Sequence, residues 1–179
     1  MLEYARNFYI SMKKKEEKVV EYYHPVLRKK AREVKEGEDI ESLVERMEKL
    51  MKEKKGVGLA ATQIGELKRV ILVDTGDEGA VCFINPVLRN KSSEKMTVKE
   101  GCLSLPGIWL DVERSREVTV EFVNQRGEKE EIRAEGMLAV VLQHEIDHLD
   151  GILFVDKAGA LEKVKLLLLY FFRKYARAR

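Results

Sequence analysis

Between residues 69 and 135 the chain carries β-type segments with very little chain to join some of them. "RVILVD" (69–74) and "AVCFINP" (80–86) are five residues apart, and "EVTVEFVN" (117–124) runs into "EKEEIRAE" (128–135) through the glycine turn of "NQRGE". Parallel neighbours need a crossover of a dozen or more residues, usually a helix. Joins this short therefore predict antiparallel pairing, and the valine- and isoleucine-rich composition suits pleated strands. Helical patterns flank this region. In "DIESLVERMEKLMKEK" (39–54), Ile40, Leu43, Val44, Met47, Leu50 and Met51 recur at three- and four-residue steps, with Glu38 or Asp39 beside the positive helix start. In "GMLAVVLQHEIDHLDG" (136–151), Met137, Val140, Val141, His144 and His148 share one face, and Gly151 is suited to a left-handed terminator. A last helix is expected over roughly 159–177 and ends in the basic "RKYARAR". The class read from this order is α+β: antiparallel sheets packed around a central helix, with one helix in the N-terminal half and one at the C-terminus.

A chain of 179 residues suits one domain and can bury a core without disulfide or metal staples. The lysine and glutamate cluster at 13–18 separates residues 1–18, read as an extension, from a single domain over 19–179, and Met12 offers an alternative start to Met1. The balance of 33 basic and 31 acidic residues excludes DNA binding across the surface, so any nucleic-acid contact must be local. Two cysteines, Cys82 and Cys102, make no disulfide framework and point to a reducing compartment. "MLEYARNFYISMKKKEEK" lacks the apolar core of a secretory signal, and "LLLLYFF" (166–172) is too short to span a bilayer. The expectation is a cytoplasmic protein without a transmembrane segment.

Three stretches carry chemistry. His144 and His148 in "QHEIDHLDG" lie one helical turn apart, so both rings can reach one cation, while Glu145 is rotated off that axis, as suits a proton-accepting carboxylate. A shuffled chain of this composition yields the H-E-x-x-H pattern only roughly 0.004 times, so chance is a poor account of it. A catalytic metal commonly takes three protein ligands, and the third is open on this evidence: Asp150, Asp156 or Glu162 downstream, or Cys102 in "KEGCLSLPG", a segment bracketed by Gly101 and the turn formers Pro106 and Gly107. Cys82, between Val81 and Phe83, reads as a small buried hydrophobe. In "GVGLAATQIG" (56–65), paired glycines allow close backbone approach and the Gln63 amide can donate to a developing oxyanion; a plain structural turn is the other reading.

Taken in order, "GVGLAATQ", "EGCLSLPG" and "QHEIDHLDG" resemble the three motifs of the peptide deformylase family, and with "HPVLRKKAREV" the likeness covers about residues 19–157. The resemblance implies that Cys102, His144 and His148 bind one divalent metal, iron(II) by preference, with zinc, nickel or cobalt also accommodated. It implies that Glu145 is the general base and passes its proton to the departing amine, and that the Gln63 side chain and the Leu103 backbone N–H hold the formyl oxygen. Gly58 would meet the peptide. The substrate would be the N-formylmethionine start of a nascent polypeptide and one product formate. An apolar pocket for that methionine finds candidate walls in Met137, Val140, Val141 and Val98. Trp109 stands where many members carry an arginine that grips the peptide, and His24 stands where an acidic residue is usual. Two rivals remain: a zinc peptidase with a downstream carboxylate ligand, and a non-catalytic deformylase-like protein that binds metal or nascent chains. The basic terminus, Arg173, Lys174, Arg177 and Arg179, suggests a transient ribosome contact or simply a solvated helix end.

Overall fold

The computed structural model describes residues 17–74, 76 and 79–176; of Glu162 and residues 173–176 only the backbone is described. Most of the expected extension over 1–18, and the ends of the basic terminus at Arg177 and Arg179, thus lie outside the described residues. So do the side chains of Glu162, Arg173 and Lys174. The elements are α1 (Glu41–Lys54), β1 (Gly58–Ala60), β2 (Val70–Asp74), β3 (Ala80–Lys91), β4 (Lys95–Cys102), β5 (Leu105–Ser115), β6 (Glu117–Val123), β7 (Lys129–Glu135), α2 (Gly136–Leu149) and α3 (Ala160–Ala176). Single 3-10 turns occur at Pro25–Arg28, Ala61–Ile64 and Phe154–Lys157.

The strands form a five-stranded sheet in the order β1-β2-β3-β6-β7 and a separate ribbon of β4 and β5, with antiparallel pairing throughout. Strand alternation explains how the larger sheet is covered on both sides. Ile71 and Val73 of β2 and Phe83 of β3 pack with Ala139, Leu142, Ile146 and Leu149 of α2. Val70, Leu72, Cys82 and Ile84 point the other way, against Leu43, Val44, Met47, Leu50 and Met51 of α1. β2 is accordingly buried over Val70–Val73, which is why "VILV" reads as a continuous apolar run. Each such fully buried side chain stabilises the fold by roughly 1.5–3 kcal/mol relative to exposure. Burial also pushes the Cys82 thiol up to about 12, which fits an inert core residue.

The ribbon was not among the strands read from the sequence. Its outer positions Lys95, Thr97 and Lys99 are exposed, so it lacks the apolar density of the other strands. Pro106 and Gly107, read as turn formers, lie within β5; the chain reverses at Leu103 and Ser104 instead. Leu105, Ile108, Leu110 and Val112 of β5 pack with Val26, Leu27, Leu153, Phe154, Val155 and Tyr170, fastening the ribbon to both chain ends. His24, read as a loop residue, caps the turn at Pro25–Arg28 by accepting from the Val26 N–H at 3.2 Å. Gly151 ends α2 at φ +74°, and a Cβ there would lie 2.8 Å from the Arg28 carbonyl oxygen, so both conformation and space require glycine.

Candidate active site

α2 and the ribbon meet where the three motifs converge. His144 and His148 project from α2 with ring centroids 5.0 Å apart, and the Cys102 Sγ at the end of β4 lies 3.2 Å from His148 Nε2. One donor atom from each of Cys102, His144 and His148 falls within 4.8 Å of the others, the one such group of three among the described residues. A thiolate and two imidazoles make three protein ligands and leave a fourth position for water or substrate.

Residues around this group fit a metal. Strand period places Glu100 on the same face of β4 as Cys102, and its carboxylate lies 2.8 Å from His144 Nδ1. Burial alone would push the Glu100 carboxyl up, but His144 and Arg114 outweigh it and hold the group down at about 2. An ionised carboxylate only accepts, so His144 Nδ1 carries a proton and Nε2 is the ring nitrogen left to face a cation. Arg114 on β5 binds the same carboxylate through two bonds of 2.6 and 3.0 Å and reaches Asp147 on α2 at 2.5 Å. Glu100 and Arg114 are 6 and 4 % exposed, so this ion pair locks the ribbon to the helix from inside.

Glu145 is oriented differently from its histidine neighbours. It is buried, and its Oε2 has no hydrogen-bond partner among the described residues. Burial raises its carboxyl to about 7. Its side chain lies against Gly58, where a Cβ would come within 2.5 Å of Oε1. Gln63 is held by its own backbone: Oε1 accepts from the Ala60 N–H at 2.8 Å, which turns the amide nitrogen toward Cys102 Sγ at 3.4 Å and Ser104 Oγ at 3.3 Å.

The motif residues converge on one cavity of about 830 Å³, whose walls include Gly58, Gln63, Val98, Cys102, Leu103, Trp109, Met137, Val140, Val141, His144 and Glu145. Of the residues the resemblance assigns to the site, His148 alone is set behind the wall, 1 % exposed. Glu17 and Lys18, the last residues of the expected extension, also border the cavity. Trp109 is 60 % exposed and pairs with Gly101 across the ribbon. Its indole lies on that glycine: a Cβ at 101 would be 2.9 Å from Cζ3 and 3.0 Å from Cε3. Since Gly101 has no positive φ, the ring explains the bare position, not the backbone.

Of the downstream carboxylates weighed as alternative ligands, Asp150 and Asp156 are engaged elsewhere. Asp150 pairs with Arg69 at 2.7 Å; Asp156 binds Arg28, Lys163 and the Leu153 N–H. Sequence reasoning missed Glu100, Ser104, Arg114 and Asp147. The first could have been found, because it stands two residues before Cys102 and a strand returns to the same face every second residue.

Known proteins share this chain's sequence and backbone. The family model described as polypeptide deformylase matches residues 16–164. A peptide deformylase of Desulforudis audaxviator is 45 % identical over 148 residues, covering 82 % of this chain and 96 % of that one. One of Desulfitobacterium hafniense is 50 % identical over 141 residues, covering 78 and 93 %. Among solved structures, peptide deformylase from Ehrlichia chaffeensis superposes with a TM-score of 0.86 at 30 % identity, covering 90 % of this chain and 98 % of its own. The enzyme from Synechococcus elongatus, in complex with actinonin, gives 0.81 at 34 % identity, covering 87 and 88 %. With likeness running through nearly the whole of these relatives, the chain belongs to the peptide deformylase family, hydrolases that remove the N-formyl group from nascent peptides.

Proposed function

We propose that residues 19–179 form one catalytic domain in which Cys102, His144 and His148 hold a single divalent metal and Glu145 moves the proton during deformylation of N-formylmethionyl peptides. The family likeness favours iron(II); a thiolate with two imidazoles also accommodates zinc, nickel or cobalt. When bound, such an ion supplies Lewis-acid activation of water near neutral pH. Glu145 takes a proton from the attacking water as its oxygen bonds to the formyl carbon. The Gln63 amide and the Leu103 N–H donate to the formyl oxygen as it gains negative charge. Glu145 then gives the proton to the amine nitrogen as the C–N bond breaks, releasing formate and a free amino terminus. Val98, Met137, Val140 and Val141 give the methionine side chain an apolar wall, while Gly58 and Trp109 face the peptide beyond it. A reducing cytoplasmic setting suits a free Cys102.

The observation that carries this reading is the Glu145 carboxylate: buried, with no hydrogen-bond partner for Oε2 among the described residues, and next to the Cys–His–His group. A ribosome contact through α3 has only the basic residues of its C-terminal end to support it. The test is formate release from a formyl-Met tripeptide by protein loaded anaerobically with iron(II), with metal content measured on the same sample. Release is expected, together with loss of metal in Cys102→Ser. Metal-loaded protein that releases no formate overturns the reading, and a Cys102→Ser variant with full metal and activity would return the choice to a peptidase.

A further inference from the structure

α3 departs from the usual rule that a surface helix buries its apolar side. Its inner face is accounted for: Tyr170, 4 % exposed, donates to Glu21 at 2.8 Å and meets the Tyr22 ring edge-on, and Leu166 packs on the same cluster. The outer face is apolar as well. Leu161, Val164, Leu168 and Phe172 recur at three- and four-residue steps along one side and are 72, 54, 53 and 72 % exposed; Leu169 and Phe171 border them. Nothing among the described residues covers this stripe.

Charge on the segment is equally one-sided. From Lys163 to the C-terminus the sequence has six cations, Lys163, Lys165, Arg173, Lys174, Arg177 and Arg179, and no acid, in a chain whose net charge is +2. Lys163 is held by Asp156; Lys165 is exposed on the apolar side itself.

Together these facts discriminate among partners. A second copy would set two cationic helices against each other, each with four basic residues and Glu162 as its one acid within α3, and a standard interface asks roughly 800 Å² of each partner. RNA matches the cations but leaves Leu161, Val164, Leu168 and Phe172 in water. An anionic bilayer matches both, since apolar side chains enter the acyl boundary while lysine and arginine stay among the headgroups. We propose that α3 is an interfacial helix that docks this enzyme reversibly on anionic membrane surfaces. It lies on the bilayer; no helix among the described residues is long and apolar enough to cross one. Glu21, which accepts from Tyr170, also borders the catalytic cavity, so the docked helix adjoins its mouth.

The experiment is co-sedimentation of the full-length, metal-loaded enzyme with phosphatidylcholine vesicles containing about 30 mol% phosphatidylglycerol, against pure phosphatidylcholine. Anionic vesicles should pellet the enzyme at least about tenfold more effectively than neutral ones. The double variant Leu168→Glu with Phe172→Glu should lose that binding about tenfold or more while releasing formate from a soluble tripeptide at the parent rate. Both substituted positions are half exposed or more, so folding is not at risk. Three outcomes overturn the proposal. One is no binding of the parent chain to anionic vesicles. Another is equal binding of the double variant, which would assign the contact to charge alone. The last is a vesicle-independent dimer, or pelleting with ribosomes, that the same substitutions abolish.

Discussion

Gly58→Ala moves the proposed base without touching a metal ligand. The backbone at 58 has no positive φ, so alanine is conformationally acceptable and by itself reduces unfolded-chain entropy, a gain of about 0.4–1 kcal/mol. Its methyl, however, would lie 2.5 Å from Glu145 Oε1, 2.9 Å from Glu145 Cγ and 2.9 Å from Val141 Cγ1. Carbon contacts are comfortable at about 3.5–4.0 Å, so the carboxylate must retreat by about 1 Å. Glu145 is 5 % exposed and cannot swing into solvent; its way out is along the cavity. Displacing a reacting group by that distance lowers turnover on the order of 10²-fold. Overpacking costs about 1–3 kcal/mol, which the entropy gain partly offsets, so the melting temperature should fall by only a few degrees. The assay is steady-state formate release with metal content and thermal unfolding measured on the same preparation. Turnover should fall about a hundredfold with metal stoichiometry unchanged. A variant with full metal and turnover within about threefold of the parent would refute the placement of Glu145 as the base, and loss of the metal would refute the premise that the substitution acts through Glu145 alone.

Two more outcomes follow from the buried charges. Glu100→Gln removes the ionised acceptor behind His144 and leaves the buried Arg114 with Asp147 as its anionic partner. Metal affinity should fall by about 10–100-fold in competition with a chelator, with a lowered melting temperature, and unchanged affinity would show that the carboxylate does not set the ring. At Asp156, burial pushes the carboxyl up, but Arg28, Lys163 and the Leu153 N–H outweigh it and hold it at about 2. Because that is below the unfolded value of about 3.9, its contribution is present above about pH 4 and is lost as pH falls toward 2. Denaturant unfolding should therefore show a steeper loss between those pH values in the parent than in Asp156→Asn; parallel curves would refute the assignment.

What could be read in advance was whatever is local. The two histidines and Glu145 are spaced by helical geometry, which needs no knowledge of the rest of the fold. β2 and β6 declare themselves by β-branched composition. The ribbon does not, because one face of β4 is solvated and Gly101, Pro106 and Gly107 look like loop residues out of context. Once it was missed, Arg114 had no route to Glu100: the two are brought together by pairing across the ribbon, where Glu100 stands opposite Leu110. Cys102 reached the ligand set through family likeness, since residues alone left it level with three carboxylates. α3 shows a further limit. "LLLLYFF" is apolar all round, so its periodicity could not say which side faces inward; only the packing of Tyr170 and Leu166 leaves Leu168 and Phe172 outside.

The indole resting on Gly101 ties two positions eight residues apart into one heritable unit. A side chain at 101 clashes with the ring as long as Trp109 is present, whereas a smaller residue at 109 opens the space beside Cys102. The two changes are consequently not independent: a side chain at 101 finds room once 109 is smaller, and their combined effect should differ from the sum of the single ones. The order of change therefore matters at this edge of the cavity: with Trp109 in place a side chain at 101 must push the exposed ring aside, whereas after a reduction at 109 it meets open space.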